Sequence, residues 1–282
     1  INDEIIKILD SVHFKFIQKD LTESNSIEEI FNKIKPDIVL NTFGVKGSPL
    51  KAMKNPVDFL YPSFKINTEI INQSYLNNCW LVFVSSIGVY HPAEKFIEDD
   101  VWTTLPSQSD WFPSWSKRMG EILLESYKIQ YKYDKWSIIR PANIFGEYDD
   151  FSGTGTVISS IIKKISDVPF GGKIEAWGDG SPIRDFVYAG DVADSIIKLF
   201  EDKIHCITNF GSGIEVSIKE IIENLLVIGN KNQSVVWDTR KPNGDSRRLM
   251  DITRQKSYGL ISNTPLVQAL ERTYNYYINK EI

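Results

Sequence analysis

Short apolar runs alternate along the chain with helix-like patterns. Residues 79–84 (CWLVFV) are continuously apolar and end in Ser85 and Ser86, which predicts a buried strand with both serines at its carboxyl end. Apolar residues at helical spacing follow at Met119, Ile122, Leu123 and Tyr127. Residues 136–139 form a second apolar run. Strand, helix and strand at these lengths predict a right-handed crossover in a parallel sheet.

The flanking segments extend the same alternation. Helical patterns occupy residues 5–12, 27–34, 64–76, 157–165, 191–200 and 267–277, and strand-like runs occupy residues 14–17, 37–40 and 206–210. Ligands of open parallel sheets bind beyond the carboxyl ends of the strands. We therefore expect Ser86, the loop after residue 140 and the start of the Lys117 helix to border one crevice.

Composition narrows the class of protein. The 282 residues include 42% hydrophobic and 24% charged residues, as in ordinary globular proteins, and the net charge of -5 argues against a nucleic-acid partner. The absence of an 18-residue apolar run or a signal-like start argues against a membrane partner. Cys79 and Cys206 are too few for a disulfide framework. We interpret them as buried thiols and expect a cytoplasmic protein.

Two motifs carry a family resemblance. Residues 85–90 (SSIGVY) and 140–146 (RPANIFG) resemble the extended short-chain dehydrogenase/reductase family of NAD-dependent epimerases and dehydratases. The resemblance covers about residues 13–280. It implies an α/β fold, a Rossmann-like doubly wound parallel sheet with a smaller C-terminal α+β lobe that binds substrate. The implied dinucleotide-binding domain is residues 1–148 and 186–212, and the implied nucleotide-sugar lobe is residues 149–185 and 213–282.

The family's Tyr-x-x-x-Lys motif is incomplete in this chain. A tyrosine and a lysine four residues apart share one helix face, and the ammonium lowers the tyrosine pKa so that the phenol exchanges a proton during hydride transfer. Lys117 is present, but Pro113 occupies the tyrosine position. The resemblance implies that Ser86 orients the substrate oxygen and that Lys117 holds the nicotinamide ribose. Tyr90, Asp110 or a bound water are candidates for moving the proton.

The resemblance also implies a cofactor, NAD or NADP. The residues expected to bind it are Asp20, Asn41, Phe43, Gly44, Ser85, Lys117, Pro141, Asn143 and Ile144. Asp20 is equally interpretable as a helix N-cap or loop acid. No Gly-x-x-Gly-x-x-Gly turn precedes Gly44, although the family binds the cofactor pyrophosphate there. Either the sequence begins after this turn, which we favour, or the protein has lost it.

Two later strings resemble the GDP-L-fucose synthase group of the family. These are residues 177–186 (WGDGSPIRDF) and 238–244 (DTRKPNG). The indole of a tryptophan offers a flat face, and an arginine offers a planar fork of N–H donors that suits a diphosphate. The residues expected to bind substrate are Ser86, Asn143, Thr156, Val157, Trp177, Arg184, Lys241 and Arg247. Arg184 could instead form a salt bridge with Asp191, and Lys241 could lie on a basic surface turn.

Three functions follow from these matches and departures. The first is an NAD(P)-dependent epimerase/reductase acting on a nucleoside-diphosphate sugar, with GDP favoured, for cell-surface glycan precursors. The second is a catalytically degenerate relative that binds dinucleotide or nucleotide sugar as a regulatory or scaffold subunit. This alternative stays open because Gly88 and Thr156 stand at or near the positions where the GDP-L-fucose synthase group has a cysteine and a histidine. The third is a fold-only relative with another ligand. A homodimer through the helices near Phe64 and after Lys117 is implied by resemblance.

Overall fold

The computed structural model describes residues 14–45, 49–152, 155–241 and 243–281. Its elements, in chain order, are α1 (Ser26–Ile34), β1 (Ile38–Asn41), α2 (Pro49–Lys54), α3 (Pro56–Leu76), β2 (Trp80–Val84), α4 (Trp111–Tyr131), β3 (Trp136–Pro141), β4 (Asn143–Phe145), α5 (Val157–Asp167), β5 (Lys173–Trp177), β6 (Ile183–Arg184), β7 (Phe186–Tyr188), α6 (Ala189–Glu201), β8 (Cys206–Phe210), β9 (Val216–Ser217), α7 (Ile218–Ile228), β10 (Ser234–Asp238), β11 (Arg247–Arg248), α8 (Thr253–Ser257) and α9 (Leu266–Glu281). Short 3₁₀ turns lie at Ile87–Val89, Glu98–Trp102 and Gln108–Asp110.

A parallel sheet forms the larger part of the fold. Within the described ranges its strand order is β1-β2-β3-β8, and each neighbouring pair is parallel. The predicted crossover is β2-α4-β3. Parallel strands covered on both faces are apolar throughout, and β2 and β3 carry such runs. The predicted α/β class with a Rossmann-like parallel sheet is confirmed.

Alternate residues of β2 face opposite layers of helices, as a pleated strand requires. Leu81 and Phe83 belong to the core under α1, α3 and α4, whereas Val82 belongs to the core shared with α6. At Gly120 of α4, the Phe83 ring lies where a Cβ atom would stand. The glycine therefore brings the start of α4, with Lys117, close to the end of β2.

The remaining elements form a second core. Helices α5, α7 and α9 pack with the parallel pair β5-β10 and with β7 around a cluster that includes Ile162, Ile222 and Leu270. Strands β6, β9 and β11 form a small sheet, in which β6 pairs antiparallel with β9 and parallel with β11. This second core lies across the cavity described below from the carboxyl ends of the main sheet. The domain division predicted from the sequence stays a prediction.

Some boundaries differ from the sequence predictions. Residues 14–17 form no regular strand, and Phe14 and Phe16 are 47% and 52% exposed. Apolar composition alone is insufficient, because a strand needs a neighbour for its backbone hydrogen bonds. Helix α3 begins at Pro56, well before residue 64, since proline suits a first helical position. Residues 5–12, predicted as a helix, lie outside the described residues. No described helix is both long and apolar enough to span a membrane.

Candidate active site

A cavity of about 1150 Å³ lies between the carboxyl ends of β1 and β2 and the second core. Nine of the predicted site residues line it: Gly44, Ser85, Ser86, Lys117, Asn143, Thr156, Val157, Trp177 and Arg184. The lining does not include Asp20, Asn41, Phe43, Pro141, Ile144, Lys241 or Arg247. The structure thus brings residues from distant parts of the sequence to one site.

Lys117 lies between the ends of two strands. Its Nζ donates hydrogen bonds of 2.7 Å to the carbonyl oxygens of Phe43 and Val84, and it lies 5.2 Å from the Phe83 ring centroid. Burial lowers the pKa of Lys117 to about 8, while the negative charge of Glu121, one helical turn on, opposes the shift. The ammonium is therefore fixed beside the cavity and titrates near neutral pH.

The two serines at the end of β2 have different environments. Ser85 is buried, and its hydroxyl donates to Oε1 of Glu121 at 2.5 Å. Ser86 is half-buried, and its Oγ accepts a hydrogen bond of 3.0 Å from the Gly88 backbone N–H. A hydroxyl can also donate one hydrogen bond. Ser86 therefore keeps its O–H for a ligand in the cavity, whereas Ser85 supports the cavity from behind.

The tyrosine position of the family motif is at the cavity wall. Pro113 lies in the first turn of α4 and lines the cavity. Tyr90, one candidate replacement, is 2% exposed; its hydroxyl donates to Asn209 Oδ1 and accepts from Arg140 Nη1 at 3.0 Å. Burial raises the pKa of Tyr90 above its ordinary value. The structure does not bring this phenol to the cavity.

Asp110 does reach the cavity, in an ion cluster that the sequence analysis did not anticipate. Arg248 Nη2 donates 2.6 Å hydrogen bonds to Oδ2 of Asp110 and to Oδ2 of Asp245. The same guanidinium donates to Ser109 Oγ at 3.0 Å. Burial of Arg248 opposes its charge, but the two carboxylates outweigh this and raise the pKa of Arg248. Arg248 and Asp110 both line the cavity.

Arg247, the arginine predicted from the sequence, lies elsewhere. It forms ion pairs with Glu94, at 2.7 Å, and with Glu215. Neighbouring residues of a strand point to opposite faces, so only one of the two adjacent arginines in β11 can face the cavity. A sequence of two consecutive arginines does not reveal which one, and the residue that sequence reasoning missed is Arg248.

A buried ion pair underlies the site. Glu121 and Arg140 both have 0% side-chain exposure, and Arg140 Nη2 lies 2.6 Å from Glu121 Oε2. Arg140 Nε donates to Glu121 Oε1 at 3.0 Å, and Nη1 donates to the Glu98 carbonyl oxygen at 2.7 Å. This pair connects α4 to the end of β3 and, through Ser85, to the end of β2. It fixes the strand ends that carry the candidate catalytic groups.

The far side of the cavity offers an aromatic face and an arginine. Trp177 is 54% exposed, and Lys241 Nζ lies 5.3 Å from its ring centroid. Arg184 donates from Nη1 to its own neighbour, the Ile183 carbonyl oxygen, at 2.8 Å. Burial, reinforced by the positive charge of Arg248, lowers the pKa of Arg184 to about 10. This cation would be stabilised by an anionic ligand.

Asp191, considered in the sequence analysis as an ion-pair partner of Arg184, binds other groups instead. The Asp191 carboxylate accepts hydrogen bonds from Ser262 Oγ at 3.0 Å and from the backbone N–H and hydroxyl of Thr264 at 3.0 and 2.7 Å. The interpretation of Arg184 as the partner of Asp191 is therefore wrong. Two other lining residues are also hydrogen-bonded: the hydroxyl of Thr156 donates to Asp149 Oδ2 at 2.5 Å, and Asn143 Nδ2 donates to the Asp185 carbonyl oxygen at 2.8 Å.

The end of β1 fits a dinucleotide. Asn41 Nδ2 donates to Asn67 Oδ1 at 2.9 Å, and Asn41 Oδ1 accepts from the Phe43 N–H at 3.0 Å. Asn67 Nδ2 is buried without a hydrogen-bond partner among the described residues. A buried unpaired donor is costly, and a ligand at this strand end would relieve it. Asp20 is exposed and accepts from the N–H and hydroxyl of Thr22, as a loop acid does.

Comparison with known proteins agrees with this geometry. The GDP-L-fucose synthase of Escherichia coli (strain K12) is 26% identical over 281 residues, covering 93% of this chain and 86% of that protein. GDP-L-fucose synthase 1 of Arabidopsis thaliana is 28% identical over 268 residues, covering 92% and 82%.

Solved structures share the fold. A GDP-6-OMe-4-keto-L-xylo-heptose reductase from C. jejuni has a TM-score of 0.85 at 22% identity, covering 98% of this chain and 93% of that chain. A GDP-mannoheptose C4 reductase from Campylobacter jejuni with NADP bound has a TM-score of 0.81 at 23% identity, covering 98% and 94%.

The family assignment rests on the largest match. Residues 2–209 match the profile of the NAD dependent epimerase/dehydratase family, which is well over half of the chain. The predicted membership of the extended short-chain dehydrogenases/reductases is thereby confirmed, and so is the predicted NAD(P) cofactor at the level of the family. With its parallel sheet, its Lys117 and its Ser86 at the carboxyl ends of the strands, this chain belongs to the NAD dependent epimerase/dehydratase family.

Proposed function

We propose that this protein is an NAD(P)-dependent epimerase/reductase-type enzyme that acts on a GDP-linked sugar, in the synthesis of cell-surface glycan precursors. The observation that carries the proposal is the single cavity that joins Ser86 and Lys117 at one end to Trp177 and Arg184 at the other. A nucleoside-diphosphate sugar needs this combination, since its sugar must reach the reacting groups while its diphosphate meets a cation and its base a flat surface.

The residues at the strand ends suit a nicotinamide dinucleotide. When bound, that cofactor supplies or accepts the hydride. Lys117, fixed by two carbonyl oxygens, places a positive charge where a nicotinamide ribose would lie in this family. Ser86 directs its free O–H at a substrate oxygen and so holds the reacting carbon in place. Gly44 lines the cavity beside Lys117, since a Cβ there would be 3.9 Å from Lys117 Nζ.

The second core supplies the nucleotide contacts. Arg184 presents unpaired guanidinium donors to the cavity, and a diphosphate accepts bidentate hydrogen bonds from such a fork. Trp177 offers its exposed face for stacking of a base. Lys241 lies over the same ring and adds positive charge at the rim. The relatives named for GDP-sugars favour guanine as the base.

Replacing Arg184 with methionine is expected to weaken GDP binding about ten- to a hundredfold, because charge-assisted hydrogen bonds contribute about 1.5–3 kcal/mol. Titration calorimetry with GDP measures the change. The matched control is Arg247→Met, since Arg247 pairs with Glu94 and Glu215 and does not line the cavity. Equal losses in the two variants would contradict a diphosphate contact at Arg184.

The reaction itself is tested by mixing the protein with a GDP-linked 4-keto sugar and either NADPH or NADH. We expect the reduced cofactor to be consumed and a reduced GDP-sugar to appear in mass spectra of the products. Comparing the two cofactors decides between NADP and NAD. A protein that binds GDP and the dinucleotide but consumes neither reduced cofactor would support the alternative below.

The alternative function is a degenerate binder that regulates or scaffolds other proteins. Pro113 in place of the tyrosine is the specific observation that favours it, together with Gly88 and Thr156 at the cysteine and histidine positions. Against it, the cavity retains Arg184 and Trp177, which a scaffold has no need to keep. Both the enzyme and the degenerate binder would bind the nucleotide sugar and the dinucleotide, but only the enzyme would turn over substrate.

We also propose that the protein is a homodimer that pairs through α3 and α4. These helices pack side by side and present exposed apolar residues, Val57, Tyr61, Leu76, Met119 and Ile122 among them. Ile122→Glu places a charge on this face and is expected to convert the dimer to a monomer, as measured by light scattering after gel filtration. Val227→Glu, on the exposed side of α7, is the control and leaves the dimer intact. A wild-type monomer would refute the proposal.

We further propose that the protein works in the cytoplasm. Cys79 and Cys206 are both buried and unpaired, as expected of thiols in a reducing compartment. Burial raises the pKa of Cys206 to about 12, so this thiol stays protonated and unreactive.

A further inference from the structure

We propose that Asp110 exchanges the proton with the substrate oxygen in this site, in place of the tyrosine that the α4 helix lacks. The proposal rests on the proposed function and names the group that completes it. It is carried by the position of Asp110 at the cavity wall, beside Ser86 and the first turn of α4.

The cavity offers few groups able to move a proton. Among the described lining residues, the titratable side chains are Asp110, Lys117, Lys164, Glu175, Arg184 and Arg248. Lys164 donates to the Glu175 carbonyl oxygen, and both lie near Trp177 in the second core, where the nucleotide is expected. The arginines hold their protons throughout the physiological range, and Lys117 is engaged with two backbone carbonyl oxygens. Asp110 is the carboxyl group that remains on the Ser86 side.

Gly88 makes the space between Asp110 and Ser86. A Cβ atom at Gly88 would lie 3.4 Å from Asp110 Cβ, 3.4 Å from Ser86 Oγ and 3.1 Å from Ser114 Oγ. The three side chains thus converge around a position that holds no side chain. Gly88 stands where the GDP-L-fucose synthase group has a cysteine, so the same space is bordered here by a carboxyl group instead of a thiol.

The carboxylate of Asp110 is directed away from the helix it precedes. Asp110 occupies the N-cap position of α4 but makes no capping hydrogen bond through its side chain. Instead it pairs with Arg248 Nη2 at 2.6 Å, and its side chain is 25% exposed. An acidic N-cap residue usually satisfies the first helical N–H groups. Here the carboxylate is free of that role and borders the cavity.

Several charged groups lie around Asp110. Arg248 and Arg184 carry two positive charges, and Asp110 and Asp245 carry two negative charges. Helix α2, which packs against the Gln108–Asp110 turn, adds the cations Lys51 and Lys54. A bound diphosphate brings about two further negative charges to Arg184. Because Asp110 is ion-paired with Arg248, its role as the acid requires this carboxylate to take up a proton when the anionic ligand binds.

The proton step then balances. As the carbonyl carbon of the sugar is reduced by the nicotinamide dinucleotide of the proposed function, its oxygen forms an O–H bond with the proton of Asp110. The O–H bond of the carboxyl group breaks, and its electron pair stays on the carboxylate. Arg248 stabilises that carboxylate, and Ser86 donates a hydrogen bond to the same substrate oxygen. In the reverse direction Asp110 accepts the proton.

Asp110→Asn tests the assignment, since it keeps the shape and removes the acid. We expect turnover to fall about 10²–10⁴-fold, with GDP affinity largely kept. Calorimetry of GDP binding in buffers of different ionisation enthalpy is expected to show proton uptake by the wild type and none by Asp110→Asn. Asp245→Asn is the matched control, because Asp245 accepts from Nε and Nη2 of Arg248, at 2.8 and 2.6 Å, but lies outside the cavity lining. We expect this variant to lose less than tenfold in turnover and to keep the proton uptake.

The two readouts separate this inference from the proposed function. A wild type that consumes no reduced cofactor refutes the proposed function, whereas the calorimetric comparison still tests Asp110. The inference is overturned if Asp110→Asn takes up a proton like the wild type. It is also overturned if Asp245→Asn loses as much turnover as Asp110→Asn, because both would then act only by holding Arg248. A thermal melt of each variant confirms that it is folded.

Discussion

Lys117→Met is expected to lower turnover about 10²–10⁴-fold and to weaken binding of the dinucleotide. Methionine keeps most of the apolar part of the side chain but cannot donate to the carbonyl oxygens of Phe43 and Val84, and it removes the charge beside the cavity. Fluorescence titration with NADPH and steady-state rates measure the two effects. Lys128→Met, three turns further along α4, is the control. Activity within threefold of the wild type would contradict the role assigned to Lys117.

The same lysine predicts a pH dependence. Since burial lowers the pKa of Lys117 to about 8, the ammonium is lost as pH rises through that value, and dinucleotide affinity is expected to fall there. The Lys117→Met variant should show no such fall.

A loss of protein stability would not explain this fall in dinucleotide affinity. The folded pKa of about 8 lies below the ordinary lysine value of 10.5, so the cost of burying the ammonium is fully present below pH 8 and is relieved between these values. The titration of Lys117 by itself therefore makes the protein more stable, not less, as pH rises from about 8 to 10.5. Loss of affinity with an unchanged or higher melting temperature is the predicted combination.

Arg140→Met is expected to cost about 3–5 kcal/mol of the free energy of unfolding, because it leaves the Glu121 carboxylate buried without its partner. Both side chains of this pair have 0% exposure. Urea denaturation measures the change. Lys198→Met provides the control, since it breaks an exposed pair with Asp202 that is expected to contribute under about 1 kcal/mol.

A double variant separates the ion pair from simple packing. Arg140→Met combined with Glu121→Leu removes both charges, and replacing a whole buried pair with apolar groups is often close to neutral. We therefore expect the double variant to recover most of the stability lost by Arg140→Met. If Arg140→Met costs no more than Lys198→Met, the pair does not hold the strand ends as described. The activity of the double variant then shows how far Ser85, which donates to Glu121, depends on it.

The parallel sheet was predictable because its strands have strong local signals. Strand β2 was predicted from the apolar residues 79–84 and lies at Trp80–Val84, since a continuous apolar run fits a strand buried on both faces. Residues 14–17 carried a similar apolar signal and formed no strand, because pairing depends on a neighbouring strand that composition does not reveal. Helix α4 begins at Trp111, earlier than its apolar spacing indicated, because Pro113 suits a first turn.

The site was only partly predictable, for a related reason. Ser86, Lys117 and Arg184 are fixed by motifs within regular elements, and the structure brings all three to one cavity. Arg248 and Asp110 face the cavity through the orientation of a two-residue strand and a 3₁₀ turn. Spacing along the sequence does not determine these directions. The burial of Tyr90 depends on contacts with Arg140 and Asn209, which are distant in the sequence, so it could not be predicted from the sequence either.

Hydride transfer from cofactor to sugar is the most direct test of the central proposal. The protein would be incubated with NADPH deuterated at the transferred position of C4 and with a GDP-linked 4-keto sugar, and the product sugar analysed by mass spectrometry. We predict one deuterium on the reduced carbon with the wild type and none above background with Lys117→Met. A wild type that binds both ligands and transfers no deuterium would contradict the enzyme proposal and leave the degenerate binder in its place.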